Sequence, residues 1–123
     1  MSETTKVPAL ILKRHSDTRA EDWFPCGKGW RHKTAYVAED VSVYSIASIG
    51  LYASVGPRSV VGPNVVILAG SIVGDGATLH SGSLIGDNAK IGDGSIVGAG
   101  AKIGDGSIVG MDAVIGDGGA GGG

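Results

Sequence analysis

Three histidines, His15, His32 and His80, are the residues of this chain best suited to chemistry. A neutral imidazole can take a proton from an attacking amine or hydroxyl, which is the general-base step of an acyl transfer. Three imidazoles that surround one open coordination position instead bind zinc and activate a water molecule. Which of these chemistries is open to the chain depends on whether its fold brings the histidines together.

Two further features of the sequence could indicate chemistry: a single cysteine and a repeated glycine-rich octapeptide. Cys26 is the only cysteine, which excludes an intrachain disulfide and a cysteine metal cluster. The octapeptide Ile-Gly-Asp-Gly-Ser-Ile-Val-Gly occurs at 91–98 and at 103–110 and looks like a phosphate-binding glycine loop. Because no strand–loop–helix unit surrounds either copy, we interpret these glycines as structural.

A six-residue repeat dominates the sequence after residue 34. An aliphatic residue occupies every sixth position without interruption: Val37, Val43, Ile49, Val55, Val61, Ile67, Val73, Leu79, Ile85, Ile91, Val97, Ile103, Val109 and Ile115. The residue two places before each of these is small or β-branched: Ala35, Val41, Ala47, Ala53, Ser59, Val65, Ser71, Ala77, Ser83, Ala89, Ser95, Ala101, Ser107 and Ala113. A period of six fits neither a single helix nor an alternating strand.

The repeat predicts a coil with three short sides of one hexad each. Each side places two residues inward and the residue between them outward, because strand side chains alternate. The pattern resembles the hexapeptide repeat of left-handed parallel β-helices over residues 34–117, and the left hand is implied by this resemblance. We therefore expect an all-β fold, a left-handed parallel β-helix of between four and five coils with an extended N-terminal arm.

In that fold the histidines lie apart. His80 takes a corner position that glycine usually occupies, whereas His32 precedes the first hexad, several coils away. A three-histidine site within one chain is therefore not expected, and no metal is predicted. Copies of His80 gathered on a symmetry axis would be another metal arrangement, but a solvent-exposed corner histidine is the ordinary interpretation. Asp93 and Asp105 fall on different corners, so they do not predict a calcium row.

The chain divides into four segments by this pattern. They are an extended N-terminal arm (1–22), an aromatic N-terminal cap (23–33), the β-helix (34–117) and a flexible glycine-rich tail (118–123). Trp23, Phe24 and Trp30 are predicted to form the cap, because the first coil of a solenoid otherwise exposes its apolar core and unpaired strand edges.

Charge is distributed unevenly around the net value of −2. Residues 1–33 carry seven basic and four acidic residues, and residues 34–123 carry three and eight. A basic arm on an acidic body predicts either contact with an acidic partner or folding of the arm onto its own body, and both alternatives stay open. The residues expected to bind a partner are Val7, Leu10, Ile11, Leu12, Lys13 and Arg14.

Several classes of protein are excluded by what the sequence lacks. No apolar run is long enough for a transmembrane helix, and the N-terminus does not have the pattern of a signal peptide. No nucleic-acid-binding motif is present. We therefore expect synthesis in the cytoplasm, no membrane association and no specific nucleic-acid partner.

One outward stripe of the predicted coil is apolar. Taking every third hexad places Ser42, Val60, Thr78, Ile96 and Val114 on one face. An exposed apolar stripe of that length marks an interaction site, and proteins of the resembled family are typically homotrimers. We predict a homotrimer whose interface contains Val60, Thr78, Ile96 and Val114.

The segment from Gly27 to Asp40 resembles the start of short hexapeptide-repeat proteins encoded by phages and prophages. The hexads also run without any insertion, which leaves little room for a pocket. Together these features predict a non-enzymatic structural protein without a cofactor, namely a phage capsid decoration or cement protein on the virion surface. Its arm would bind the major capsid protein or another virion protein by adding a strand to an exposed edge. A fibre or spike segment is a close alternative.

An enzyme is the competing hypothesis. The resembled family includes acyltransferases, nucleotidyl-sugar-linked enzymes and γ-class carbonic anhydrases, in which the chemistry usually comes from an inserted loop or from a neighbour's loop at the subunit boundary. The second hypothesis is therefore a minimal acyltransferase with His80 as the general base. Under the first hypothesis no catalytic residue is predicted.

Overall fold

The computed structural model describes residues 7–121. Helix α1, Ala9–Arg14, and a 3-10 helix, Ala20–Asp22, precede the strands. A hairpin follows, in which β1, Trp23–Cys26, pairs antiparallel with β2, Gly29–His32. The remaining strands have two residues each: β3 Tyr36–Val37, β4 Ser42–Val43, β5 Ser48–Ile49, β6 Ser54–Val55, β7 Val60–Val61, β8 Val66–Ile67, β9 Ile72–Val73, β10 Thr78–Leu79, β11 Leu84–Ile85, β12 Lys90–Ile91, β13 Ile96–Val97, β14 Lys102–Ile103, β15 Ile108–Val109, β16 Val114–Ile115 and β17 Ala120–Gly121.

Every third strand joins the same sheet, so the chain winds as a coil with three faces. Face A contains β2, β5, β8, β11, β14 and β17, with β1 at its edge. Face B contains β3, β6, β9, β12 and β15, and face C contains β4, β7, β10, β13 and β16. Strands β3 to β17 pair in parallel with the strand one coil away, as Leu79 pairs with Val97. The left-handed parallel β-helix predicted from the repeat is confirmed.

The inward residues of the repeat form the core. Most inward residues in the middle of the coil are 0 % exposed: Ala47, Val55, Val61, Ile67, Ala77, Leu79, Ile85, Ala89, Val97 and Ala101. At the two ends of the coil, Val37 and Ile115 are only partly buried. Full burial of one such aliphatic side chain stabilises the fold by roughly 1.5–3 kcal/mol.

Corner aspartates join one coil to the next. The Asp93 carboxylate accepts the backbone N–H of Asp75 at 2.9 Å, and that of Asp105 accepts the N–H of Asp87 at 2.8 Å. In the same way Asp117 accepts the N–H of Ala99 at 2.9 Å. The Gly-Asp-Gly-Ser segments thus use their carboxylates to satisfy backbone donors of the preceding coil.

The corners also require residues with positive φ, that is, backbone angles in the left-handed region. Each corner consists of the three residues that follow a strand, as residues 80–82 follow β10, and we number these corner positions first to third. At the corners between faces C and A, the third position is Asn64 in one coil, with φ of 60°, and Gly82 in the next, with φ of 73°. Ile46 holds the same position in the first coil with φ of 61°. A β-branched residue is disfavoured there, because its Cβ approaches the following carbonyl oxygen.

Ile46→Gly is expected to raise the free energy of unfolding by about 1 kcal/mol, because glycine adopts positive φ without that steric cost. The packing lost is smaller than for a core aliphatic residue, since Ile46 is 37 % exposed and residues such as Ile67 are 0 % exposed. Urea unfolding at pH 7 measures the change. Asn64→Gly is the matched control and should give a smaller gain, because asparagine tolerates the left-handed region. A loss of stability in Ile46→Gly would contradict this account of the corner.

The N-terminal segment differs from the extended arm that the sequence predicted. Ile11 of α1 is 0 % exposed and packs with Val7, Trp23 and Trp30. Leu12 contacts this cluster while partly exposed, whereas Leu10 and Lys13 are exposed. The segment folds onto its own first coils because burial of these apolar side chains stabilises the compact form.

The aromatic cap is a hairpin on the first coils. Trp23 and Trp30 are 4 % and 8 % exposed, in agreement with a capping role, but Phe24 is 45 % exposed. The Arg31 guanidinium lies 5.9 Å from the centroid of the Phe24 ring. Phe24 therefore lies at the surface of the cap, because it alternates in β1 with the buried Trp23.

The glycine-rich tail continues the ladder as far as residue 121. Strand β17 pairs in parallel with β14, so the predicted flexible segment is in part a strand. Such pairing needs only backbone groups, which glycine supplies. Residues 1–6 of the predicted arm and 122–123 of the tail lie outside the described residues. Within residues 7–121, no helix is long and apolar enough to cross a membrane.

Candidate functional site

His80 lies at the corner between β10 on face C and β11 on face A, and its side chain is exposed. Its backbone N–H donates to the Val97 carbonyl at 2.8 Å, and its carbonyl accepts the Ser83 N–H at 3.2 Å. These bonds fix the backbone of the corner. The imidazole makes no hydrogen bond to the described part of the chain, so both ring nitrogens are open to a ligand. Other coils place glycine at this position, as at Gly62 and Gly98.

The residue after His80 presents a backbone donor. Ser81 occupies the second corner position, where the N–H groups of Asp75, Asp87 and Ala99 each donate to an aspartate one coil on. The residue one coil after Ser81 is Ala99, whose side chain has no acceptor. The Ser81 N–H has no hydrogen-bond partner in residues 7–121, and Ser81 directly follows His80 in the chain.

Ser83, by contrast, belongs to the core. Its Oγ is buried and has no hydrogen-bond partner among the residues described. The equivalent hydroxyls of Ser59 and Ser95 donate to the carbonyls of Gly74 and Gly110, at 2.7 Å and 2.6 Å. Because Ser83 is 0 % exposed, its hydroxyl is not accessible to a substrate at the His80 corner.

The predicted interface residues form one ladder that borders His80. Thr78 pairs with Val60 on one side and with Ile96 on the other, and Ile96 pairs with Val114. Ile96 is 38 % exposed and Val114 is 70 % exposed. The stripe is therefore continuous and available on a single chain, and its burial in a homotrimer stays a prediction.

His15 forms a buried polar pair that the repeat pattern did not reveal. Its Nε2 lies 2.9 Å from Ser48 Oγ, and the imidazole centroid lies 4.8 Å from that of Trp23. Burial, and secondarily the positive charge of Arg14 and the nearby His32, lower the pKa of His15 to about 4. At neutral pH the ring is uncharged and fixes α1 and the turn after it to face A.

Acidification is expected to destabilise the docked N-terminal segment. The pKa of His15 is about 4 in the folded chain and about 6.5 when unfolded, so between these values the unfolded state binds more protons. The stability that the neutral ring contributes is fully present above pH 6.5 and is lost as the pH falls towards 4. Urea unfolding at pH 7 and pH 4.5 measures the loss.

His15→Gln is the control for that measurement, because a glutamine amide can still hydrogen-bond to Ser48 but does not titrate. The loss of stability between pH 7 and pH 4.5 should be smaller in this variant than in the wild type. Equal losses in the two proteins would assign the effect to the carboxylates and contradict the role of His15.

The other candidate ligands are separate from one another. His32 is 4 % exposed, and its Nδ1 lies 2.8 Å from Thr34 Oγ1. Burial lowers the pKa of His32 and raises the pKa of the Cys26 thiol. Within residues 7–121, no three His, Cys, Asp or Glu side chains lie close enough together to hold a metal ion.

The solved structures that match this chain include acetyl- and acyltransferases. A histidine-to-alanine variant of GDP-perosamine N-acetyl transferase from Caulobacter crescentus, in complex with CoA and GDP-perosamine, is 22% identical with a TM-score of 0.61, and the match covers 75% of this chain and 47% of that one. UDP-N-acetylglucosamine acyltransferase from Campylobacter jejuni is 12% identical, with a TM-score of 0.38 over 72% of this chain and 58% of that one. The match to the Caulobacter enzyme shows the fold alone, and it spans about half the length of that enzyme. No curated protein sequence matches the chain.

The comparisons contradict one prediction from the sequence. The chain was expected to be a non-enzymatic capsid decoration protein, but a family model described as bacterial transferase hexapeptide (six repeats) matches residues 52–86 and 82–117, and the Caulobacter structure of similar fold is a transferase. The uninterrupted repeat misled that prediction, because a regular prism is also the scaffold of these enzymes. The two matches together span more than half of the 123 residues, and the chain belongs to the bacterial transferase hexapeptide family.

Proposed function

We propose that the chain is an acyltransferase that moves an acyl group from a thioester to an amine or hydroxyl, with His80 as the general base. The observation that carries the proposal is that His80 lies inside the matched repeats of a transferase family, at a corner where its ring is exposed and unpaired. The two other histidines are buried and hydrogen-bonded to serine or threonine.

The chemistry follows from the groups at this corner. The acceptor attacks the thioester carbonyl and gives its proton to the neutral imidazole of His80. The carbonyl oxygen becomes an oxyanion, and we propose that the N–H of Ser81, which has no partner within residues 7–121, stabilises it. When the carbon–sulfur bond breaks, the imidazolium returns its proton to the thiolate, and the free thiol leaves.

Coenzyme A thioesters are the donors that we propose, because the Caulobacter enzyme of similar fold was crystallised with CoA. That enzyme also held GDP-perosamine, which suggests amino sugars as the first acceptors to examine. Release of free thiol from acetyl-CoA, followed with a chromogenic thiol reagent in the presence of amino sugars and simple amines, tests the proposal. Acceptor-dependent release is expected, whereas release no faster with any acceptor than without would contradict it.

The corner of His80 is open on one side, and we propose that a second copy of the chain closes it. A threefold assembly joins two different surfaces of neighbouring copies. Face C supplies one through Ile96 and Val114, and face B supplies a second through Tyr36 and Ile108, which are 63% and 72% exposed. His80 would then border the boundary between copies, where a donor can be bound from both sides.

Ile96→Glu tests this assembly. The wild type is expected to have three times the mass of the 12.2 kDa chain in light scattering, and the variant to be monomeric, because a carboxylate buried in an apolar contact is strongly unfavourable. Lys102→Glu on face A is the control and should stay trimeric. A wild type that is monomeric at micromolar concentration would rule the trimer out.

A further inference from the structure

A cleft lies between the turn after α1 and the corner that joins face A to face B. Its volume is about 390 Å³, within the range of roughly 300–1,000 Å³ that is usual for small-ligand sites. One wall is the turn 14–17, and the floor and far wall are Leu51, Leu68, Ala69 and Asp87. This is a different corner of the prism from that of His80, so the cleft is independent of the acyl-transfer proposal.

A buried imidazole with one unpaired nitrogen lines the cleft. His15 is 5 % exposed, and its hydrogen bond with Ser48 involves only Nε2. The Nδ1 makes no hydrogen bond within residues 7–121. A Cβ added to Gly50 would lie 3.0 Å from Nδ1, which places this nitrogen against the start of the corner that forms the cleft. His15 lines the cleft, so a ligand bound there can offer Nδ1 the hydrogen-bond partner that residues 7–121 do not supply.

The charged groups of the cleft favour a cation. The Asp17 and Asp87 carboxylates accept no hydrogen bond and form no ion pair with the described residues. Asp87 differs here from Asp93, Asp105 and Asp117, because the N–H of Ala69, one coil before it, does not donate to its carboxylate. Arg14 also lines the cleft and keeps its positive charge, with Nη1 donating to the Ile46 carbonyl at 2.7 Å, so the two carboxylates leave the cleft with a net negative charge.

The apolar floor limits the kind of cation. Leu51, Leu68 and Ala69 are partly exposed and offer aliphatic surface rather than oxygen ligands, which does not suit a bare metal ion. We propose that the cleft binds a small organic ammonium compound, with its apolar body on Leu51 and Leu68, its charge between Asp17 and Asp87, and a polar atom within reach of His15.

The experiment is an NMR titration of the ¹⁵N-labelled protein at pH 7 with three probes of one shape: cyclohexylammonium, cyclohexanol and cyclohexanecarboxylate. The ammonium probe is expected to shift the amide signals of Asp17, Leu51 and Ala69 saturably. The alcohol and the carboxylate should bind about tenfold more weakly or not at all, because neither offers a positive charge to the carboxylates. Equal binding of the alcohol, or shifts confined to other corners, would overturn the proposal.

Matched variants locate the site. Asp87→Asn and Asp17→Asn are each expected to weaken binding by about threefold to tenfold, as for a partly exposed charge pair. Asp112→Asn removes the same charge at another corner and should bind like the wild type. Ala69→Leu fills the cleft and should abolish binding, whereas Ala99→Leu, at the same position of another corner, should not. Wild-type affinity in the two cleft aspartate variants would contradict the assignment.

Discussion

His80→Gly is expected to lower kcat for acyl transfer by about 100- to 10,000-fold, the usual range for loss of a general base. Without the imidazole, the acceptor must lose its proton to water as it attacks the thioester. The fold should be unaffected, because Gly62 and Gly98 occupy the same corner position one coil before and one coil after. Steady-state kinetics with acetyl-CoA measure the change, together with urea unfolding of the variant.

Tyr44→Gly is the matched control for His80→Gly, since Tyr44 has the same corner position two coils earlier and is 46 % exposed. Its kcat should be within about twofold of the wild type, because no step of the reaction uses it. If kcat falls equally in both variants, the corner matters for structure rather than for proton transfer. If it falls in neither, His80 is not the base.

Ala99→Asp should lower kcat by about 100- to 1,000-fold while making the fold more stable. The new carboxylate would take the position from which Asp93 and Asp105 accept backbone N–H groups of the preceding coil. It would therefore engage the Ser81 N–H and remove the proposed oxyanion donor, for which losses of this size are typical. The added hydrogen bond should raise the free energy of unfolding by about 1 kcal/mol.

Two further variants separate the possible causes of that loss. Ala99→Asn offers a neutral acceptor to the same N–H and should also lower kcat. Ala99→Leu adds bulk without an acceptor and should leave kcat close to the wild type. A loss confined to Ala99→Asp would indicate repulsion of the anionic donor, and it would contradict the assignment of the Ser81 N–H.

The fold could be predicted because every hexad contains the information for its own side of the coil. An inward aliphatic residue such as Ile67 and the small residue two places before it, Val65, are both 0 % exposed. The same spacing fixes the register, so the outward ladder from Val60 to Val114 could be written down before the structure was known. Local residue types and global packing agree at each repeat.

The N-terminal segment could not be predicted in the same way, because its structure depends on contacts far apart in sequence. Ile11 is buried against indole rings of the hairpin, and His15 pairs with Ser48, which the repeat marks only as an outward residue. No periodic pattern connects these positions. A small outward serine on a face that elsewhere carries Val66 and Leu84 was the one available signal that something covers the first coils.

The candidate site stays a prediction. The sequence identifies His80 as the histidine within the repeat and as the base of the acyltransferase hypothesis, yet the lack of an insertion between hexads indicates little room for a pocket. The exposed imidazole and the unpaired Ser81 N–H lie at an edge of the prism, where a second copy rather than a loop can form the opposite wall.

The central claim is that the corner at His80 is where the thioester donor binds and reacts. Titration of the ¹⁵N-labelled protein with CoA, followed by NMR, tests it without knowledge of the acceptor. The account predicts saturable shifts of the His80 ring signals and of the Ser81 and Gly82 amides at millimolar CoA or below. Shifts that leave this corner unaffected, or no shifts at all at that concentration, would contradict it.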